Sequence, residues 1–142
     1  MDQVFSTLRM TSDSVDFLQI DQLKIDQAIA VPPKTWYSIK KSKSNDELIK
    51  SRSKSYLYLI CTRTFYESEN LGDHLSVLLE TIEPIRKKII ELRDTNLITT
   101  AITCFIDFEN PNYQFSIPKD ITSKILEITD FFTFDLYSHE DH

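Results

Sequence analysis

The side chains best arranged for acid–base chemistry surround His74. This histidine follows Asp73 directly, and two further carboxylates, Glu67 and Glu69, come shortly before it. A histidine that is oriented by a carboxylate can act as a general base. However, the apolar spacing that starts at Leu71 places His74 in the first turn of a helix, where a solvent-exposed histidine is the simpler interpretation. We therefore predict that His74 is exposed and has no catalytic role.

Two other groups of residues could bind a metal or react as nucleophiles. Cys61 and Cys104 both lie in apolar, strand-like runs, which predicts two buried thiols rather than a disulfide framework or a zinc site. The stretch 139–142 (HEDH) carries ligand atoms, but it ends the sequence, where nothing preorganises them. The sequence thus predicts neither a metal site nor a cofactor.

Catalytic motifs built on glycine are excluded, because the sequence contains one glycine, Gly72. The P-loop, the dinucleotide-binding fingerprint and the nucleophile elbow each need several glycines at fixed spacing. Acidic pairs such as Asp107 and Glu109 are too common to indicate a glycosidase. Since no residue stands out as catalytic, we expect a protein that is not an enzyme.

The charge of the chain favours some partners over others. The 142 residues carry 22 acidic and 16 basic side chains, a formal net charge of −6. Residues 38–63 hold seven basic and two acidic residues, whereas residues 105–142 hold two basic and eight acidic ones. An acidic chain disfavours binding to a phosphate backbone and favours basic partners. The basic stretch, with Trp36 and Tyr37 beside it, could bind a nucleic acid, but a solvated Lys/Ser segment is the simpler interpretation.

The sequence carries no sign of export or membrane insertion. Its start, Met-Asp-Gln-Val, has neither the basic nor the apolar region of a signal peptide. No apolar run approaches the roughly 18 residues that a membrane-spanning helix needs. These observations predict a cytoplasmic protein without a membrane segment.

Among the elements that must position these residues, a long helix is the clearest. Apolar residues recur at alternating steps of four and three, which is the spacing of one buried helical stripe. Pro84 falls inside this pattern and lacks the N–H that would bond the carbonyl of Glu80, so we expect a kink near Glu83. The stripe consists of Leu71, Leu75, Leu78, Ile82, Ile85, Ile89 and Leu92.

Strand patterns occur on both sides of this helix. A short helix is predicted over residues 16–23, and another begins at Pro118. The Lys/Ser-rich stretch 40–54 is predicted as a mobile loop, and the tail 139–142 as frayed. The segments with β-branched, aromatic or alternating residues are 4–10, 36–39, 56–65, 97–108 and 131–138.

Together these elements predict a single α+β domain over residues 1–142. Its core is a four- to five-stranded mixed or antiparallel sheet, with the long kinked amphipathic helix and a second helix packed on one face. In the last strand we expect Phe132, Phe134 and Leu136 to face inward. The sheet face under the helical stripe is expected to contain Leu57, Leu59, Ile102, Cys104, Phe132 and Phe134.

Three parts of the chain resemble the bacterial domain-of-unknown-function family 4279. Members of that family occur in bacterial genomes, in places near toxin and immunity cassettes, so the resemblance implies a fold and a context rather than a reaction. The chain departs from the family in its single glycine and in the Lys/Ser stretch that follows Trp36. The matching parts are 20–23 (IDQL) with Val31-Pro32 and Thr35-Trp36, 71–79 with 82–84 (IEP), and 115–118 (FSIP) through Ile128 to 134–137 (FDLY).

The acidic charge, the lack of catalytic residues and the resemblance lead to one functional hypothesis. We expect a small protein-binding domain, an immunity protein that neutralises a basic bacterial toxin domain. The alternatives are a phage or host defence regulator and a small-ligand sensor with a pocket beside Trp36. The candidate partner-binding residues are Asp107, Glu109, Thr133, Asp135, Tyr137 and Trp36.

Overall fold

The computed structural model of the chain describes residues 3–25, 34–44, 47–109 and 112–138. These residues form one α+β domain with a five-stranded sheet, as predicted. Short 3-10 turns occupy Phe17–Gln19, Asp21–Leu23, Thr62–Thr64 and Glu83–Ile85. In chain order the strands and α-helices are β1 (Gln3–Ser12), β2 (Lys34–Ser44), β3 (Glu47–Cys61), α1 (Leu71–Ile82), α2 (Arg86–Asp94), β4 (Thr99–Phe108), α3 (Lys119–Ile128) and β5 (Phe131–Ser138).

The sheet is mixed, with the strand order β2-β3-β1-β4-β5. The pairs β2–β3, β3–β1 and β1–β4 are antiparallel, whereas β4 and β5 run parallel. Parallel neighbours need a crossover connection, and α3 lies within the one that joins β4 to β5. The arrangement places β2 and β5 at opposite edges of the sheet.

The core lies between the helices and one face of the sheet. The whole predicted helical stripe is buried, from Leu71 to Leu92. It meets Leu8 and Met10 of β1, Ile102 of β4 and their neighbours in one hydrophobic cluster. Helices α2 and α3 are also joined by an ion pair between Arg86 and Glu127. Apolar burial over this area is the dominant favourable term in folding.

The long helix is interrupted at the predicted place. After Ile82 the chain makes one 3-10 turn, Glu83–Ile85, which contains Pro84, and then continues as α2. Proline cannot donate the helical hydrogen bond at its own position, and this accounts for the break. Ile85 and Ile89 are nevertheless buried, so the apolar stripe runs through the kink.

The inward face of β3 differs from the prediction. Tyr58 and Ile60 are buried in the core, while Leu57, Leu59 and Cys61 are only half-buried on the other face. The β1–β3 register explains the difference, because Ile60 lies opposite Leu8 and therefore shares its face. The expectation that Leu57 and Leu59 lie under the helices is wrong.

The stretch 40–54, predicted as a mobile loop, is instead mostly strand. Residues 40–44 end β2 and residues 47–54 begin β3, and the two strands pair from Lys34–Leu57 to Ser44–Glu47. A β-ladder is made by backbone groups, so lysine and serine side chains do not prevent it. Lysine is also common on edge strands such as β2, where it discourages pairing with other chains.

The predictions for the segment before β2 and for the end of the chain have different outcomes. The short helix expected over 16–23 is replaced by two separate 3-10 turns, Phe17–Gln19 and Asp21–Leu23. The side chain of Asp16 caps the first of them by accepting a hydrogen bond from the N–H of Leu18. The frayed tail predicted at 139–142 lies outside the described residues.

Gly72 lies where α1 approaches the segment before α3. A Cβ atom added at this position would lie 3.3 Å from the carbonyl oxygen of Ser116 and 3.1 Å from Oδ1 of Asn70. Asn70 is the N-cap of α1, and its Oδ1 accepts a hydrogen bond from the N–H of Asp73. Glycine therefore suits this position because a side chain would crowd the backbone of the neighbouring segment.

No helix in the described ranges is long and apolar enough to cross a membrane.

Candidate functional site

The face of the sheet opposite the helices is the main candidate for a functional surface. We call it the open face, because none of its side chains belongs to the core cluster that the helices cover. The register aligns its residues in rows across four strands. Its members are Gln3, Phe5, Thr7, Arg9 and Thr11 of β1, Leu57, Leu59 and Cys61 of β3, Thr99, Ala101, Thr103, Phe105 and Asp107 of β4, and Phe131, Thr133, Asp135 and Tyr137 of β5.

One end of the open face carries a row of three aromatic rings. Phe5 stacks on Phe105 with 4.6 Å between ring centroids, and Phe105 contacts Tyr137 at 4.9 Å. The guanidinium of Arg63 lies 5.5 Å from the centroid of Phe5, within the range of a cation–π contact. This aromatic row crosses β1, β4 and β5, and Tyr137 at its end is 48% exposed.

Carboxylates flank the Tyr137 end of the aromatic row. Asp135 is exposed and accepts a hydrogen bond from the Tyr137 hydroxyl, with 3.3 Å between Oδ2 and Oη. Asp107 lies opposite Tyr137 in the β4–β5 register, and exposed Glu109 follows directly after β4. Thr133, Asp135 and Tyr137 thus form one outward row, as the alternation of the strand predicts.

Asp107, one of the predicted partner-binding residues, is half-buried rather than exposed. Its position beside Tyr137, with aromatic rings along the same face, accounts for the reduced exposure. Asp135 and Glu109 are therefore the more exposed carboxylates at this end of the aromatic row.

Trp36 lies apart from the other candidate residues. It is in β2, opposite Ser55 in the β2–β3 register. Three strands, β3, β1 and β4, separate β2 from β5. The fold thus brings together five of the six predicted partner-binding residues and places Trp36 at the far edge of the sheet.

The other end of the open face contains a groove of about 770 Å³. Leu57 and Leu59 of β3 give it an apolar wall, and Leu97, which precedes β4, also lines it. Arg9 and Asp13 supply charged groups at its rim. Its volume is in the range of small-molecule sites, although it is an open groove rather than a closed cavity.

His74 is buried, contrary to the prediction of an exposed histidine. It is 1% exposed, and its ring packs edge-on against Tyr66 with 5.0 Å between centroids. Nε2 lies 2.9 Å from the carbonyl oxygen of Ser68, and Nδ1 lies 2.7 Å from Oγ1 of Thr62. Since a carbonyl can only accept, Nε2 carries the proton, and in the neutral ring Nδ1 accepts from the threonine.

The contacts around His74 form a closed polar network in the core. Thr62 Oγ1 accepts a hydrogen bond from the N–H of Ser6 at 3.0 Å, and the hydroxyl of Ser6 donates to the carbonyl of His74 at 3.2 Å. Burial lowers the pKa of His74 and favours its neutral form. The network joins β1, the turn after β3 and α1, so it supports the fold.

The two thiols have different environments. Cys104 faces the core and is fully buried, and burial raises its pKa to about 12, which makes it unreactive. Cys61 is half-buried on the open face, so the prediction of two buried thiols holds only for Cys104. Both cysteines are free. Within the described ranges no three His, Cys, Asp or Glu residues are grouped to hold a metal, and the HEDH tail lies outside them.

Two residues of this surface, Phe5 and Phe105, were not predicted from the sequence. Both alternate with buried residues, since Val4 and Ser6 flank Phe5 and Cys104 and Ile106 flank Phe105. An aromatic residue at the outward position of a strand was the available signal. That the two rings lie side by side depends on the β1–β4 register, which no local pattern reveals.

Comparison with known proteins identifies the family of the chain. The chain belongs to the family described as Domain of unknown function (DUF4279), whose model matches residues 2–139. This confirms the resemblance found in the sequence. No curated protein and no solved structure shows a significant match to the chain.

Proposed function

We propose that this member of the DUF4279 family is a cytoplasmic protein-binding domain without catalytic activity, acting as an immunity protein that neutralises a basic bacterial toxin domain. The observation that carries the proposal is the aromatic row of Phe5, Phe105 and Tyr137 on the open face, with Asp135 and Glu109 beside it. Aromatic side chains of this kind supply much of the energy of protein interfaces.

The charges around the aromatic row suit a basic partner. Asp135, Asp107 and Glu109 place three carboxylates at its Tyr137 end. The net charge of −6 would steer a cationic protein toward the chain and speed its association. Arg63 lies at the Phe5 end of the row. The row therefore has an acidic and a basic end, which would fix the orientation of the partner.

Charge reversal tests this surface. The partner is first captured from the native host with tagged protein and identified, and its association rate is then measured at two salt concentrations. The double variant Glu109→Lys/Asp135→Lys should slow association about tenfold or more and reduce its dependence on salt. Asp107 is left unchanged, because it is half-buried and its reversal would also affect the fold.

The matched control is Glu80→Lys/Asp120→Lys. It makes the same change in net charge, at exposed positions on α1 and α3, on the helical side of the sheet. The control should reduce association only slightly, through the change in overall charge. An acidic partner, or equal effects of the two double variants, would refute the proposed surface.

The groove at the other end of the open face supports a second candidate function, a sensor of a small ligand. Its apolar wall of Leu57 and Leu59 and its charged rim of Arg9 and Asp13 would suit a molecule with an apolar body and a polar group. Thermal-shift measurements with a panel of small metabolites test this function. A hit that raises the melting temperature of the native protein but not that of Leu59→Trp, which fills the groove, would support the sensor.

A further inference from the structure

The outer edge of β5 is open in the described part of the chain. β5 ends the strand order, so its second side carries backbone N–H and C=O groups that no described strand pairs with. Its side chains are also unusually apolar for such a position. The exposed fractions are 59% for Phe131, 43% for Phe134, 58% for Leu136 and 48% for Tyr137.

The two edge strands of the sheet, β2 and β5, differ in the residues that discourage pairing with another chain. β2, the other edge strand, contains four lysines, the residue that most often discourages pairing at sheet edges. From Phe131 to Tyr137, β5 has no lysine and no proline, and Asp135 is its one charged residue. An exposed, apolar and unprotected edge of this kind is a template for the addition of another strand.

We propose that a second copy of this chain pairs with β5 along this edge. The two β5 strands would run antiparallel across a two-fold axis perpendicular to the sheet, so that one sheet continues through both chains. Closed two-fold symmetry is the commonest arrangement of soluble oligomers. In such a dimer the β5 edge of each chain is covered by the β5 edge of the other, so no unpaired β5 edge remains. The helices of both copies would lie on one side of the joined sheet and the open faces on the other.

The sequence of β5 selects one register for this pairing. When Phe134 lies opposite Phe134 of the second copy, all residues from Phe131 to Tyr137 find a partner. Residues opposite each other in an antiparallel pair must share a face, and this register satisfies that condition. The remaining pairs are then Phe132 with Leu136, Phe131 with Tyr137 and Thr133 with Asp135, each formed twice.

The neighbouring registers are less favourable. A shift in one direction places Asp135 opposite its own copy, and like charges directly opposite each other are destabilising. A shift in the other direction places Asp135 opposite apolar Phe131 and leaves Leu136 and Tyr137 unpaired. Among these three registers, only the one centred on Phe134 places Asp135 opposite the hydroxyl of Thr133.

Aromatic contacts already present in one chain would continue across the two-fold axis. Phe134 contacts Phe132 at 4.9 Å and Phe115 at 5.7 Å, and Phe115 is itself 42% exposed. Two such clusters would meet at the Phe134 pair on the helical side of the sheet. Pairing would thus cover an apolar patch that a single chain exposes to water.

Substitutions at Thr133 test both the pairing and its register. Thr133→Asp places two like-charged pairs across the axis and should weaken self-association about tenfold, whereas Thr133→Lys creates two opposite-charge pairs and should strengthen it. The double variant Thr133→Asp/Asp135→Lys should restore association, because each aspartate then faces a lysine. Sedimentation equilibrium over a wide concentration range measures the dimer, and circular dichroism checks that each variant folds.

Thr64 provides the matched control. It is exposed, follows β3 and is separated from β5 by β1 and β4, so Thr64→Asp and Thr64→Lys should leave self-association unchanged. A native protein that stays monomeric at the highest concentration would overturn the proposal. So would a dimer in which aspartate and lysine at position 133 have the same effect, or in which the double variant fails to recover association.

Discussion

The buried contact between Thr62 and His74 makes the substitution Thr62→Val a sharp test of the core. Valine has nearly the same shape as threonine but lacks the hydroxyl. Its introduction would remove the 2.7 Å contact with Nδ1 of His74 and the 3.0 Å hydrogen bond from the N–H of Ser6. Ser6 and Thr62 are fully buried and His74 nearly so, so water cannot replace these partners without opening the core.

The size of the effect follows from the two groups left without a partner. A buried donor or acceptor that loses its hydrogen bond costs about 1–3 kcal/mol. Two such groups, the N–H of Ser6 and Nδ1 of His74, are affected here, and the added methyl group recovers part of the loss by apolar burial. We expect the free energy of unfolding to fall by about 2–4 kcal/mol, a large share of the 5–15 kcal/mol typical of a domain.

Urea denaturation followed by far-UV circular dichroism measures this loss, provided that the slope of the transition is unchanged. The control is Thr64→Val in the same 3-10 turn. Thr64 is exposed, and its hydroxyl makes one hydrogen bond, to the carbonyl of Cys61 at 2.9 Å. Its substitution should cost less than about 1 kcal/mol. Equal losses for the two variants would refute the account of Thr62 as the centre of a buried polar network.

Three further outcomes follow from burial. The pKa of His74 in the folded protein lies below its unfolded value near 6.5, so the stability that this difference contributes is fully present above that pH and is lost as the pH falls toward the folded pKa. Urea midpoints of the native protein at several pH values measure this loss. The midpoint of His74→Gln should depend less on pH. Leu78→Ala should lower the free energy of unfolding by about 2–5 kcal/mol, whereas Leu126→Ala, at a position 62% exposed, should lower it by less than about 0.5 kcal/mol. Similar urea midpoints for the two variants would contradict the burial of Leu78 in the core. Mass spectrometry after alkylation of native protein should find Cys61 labelled and Cys104 protected until denaturant is added, and early labelling of Cys104 would contradict its burial.

The long helix shows what could be predicted locally. Its apolar spacing and Pro84 are both readable within one stretch of chain, and the structure confirms the buried stripe and the interruption at Glu83–Ile85. The same is true of the outward row of Thr133, Asp135 and Tyr137, because alternation along a strand fixes which residues share a face. These features depend on the periodicity of one element and need no information about its neighbours.

The inward face of β3 shows where local information ends. Both faces of that strand are apolar, with Tyr58 and Ile60 on one and Leu57 and Leu59 on the other. Hydrophobicity alone therefore does not choose between them. The choice is made by β1, because pairing of Ile60 with Leu8 fixes the face of every residue along β3.

For the last strand, the sequence predicts correctly which side chains face the helices but not how exposed they are. Phe132 and Phe134 lie opposite Ile102 and Cys104 in the register, so they share the helical side of the sheet, as predicted. Phe134 is nevertheless exposed, because β5 lies at the edge of the sheet, beyond the core that the helices cover. Strand order is a property of the whole fold, and no pattern within residues 131–138 contains it.

The α+β class, the kinked helix, the alternation of the strands and the family could all be predicted from the sequence alone. The pairing of residues 40–44 with 47–51, the burial of His74 and the contacts among Phe5, Phe105 and Tyr137 depend on the tertiary structure. The physical reason is the range of the interactions. Helical periodicity and proline act within a few residues, whereas sheet pairing and buried hydrogen bonds join groups from distant parts of the chain, such as Ser6 and Thr62.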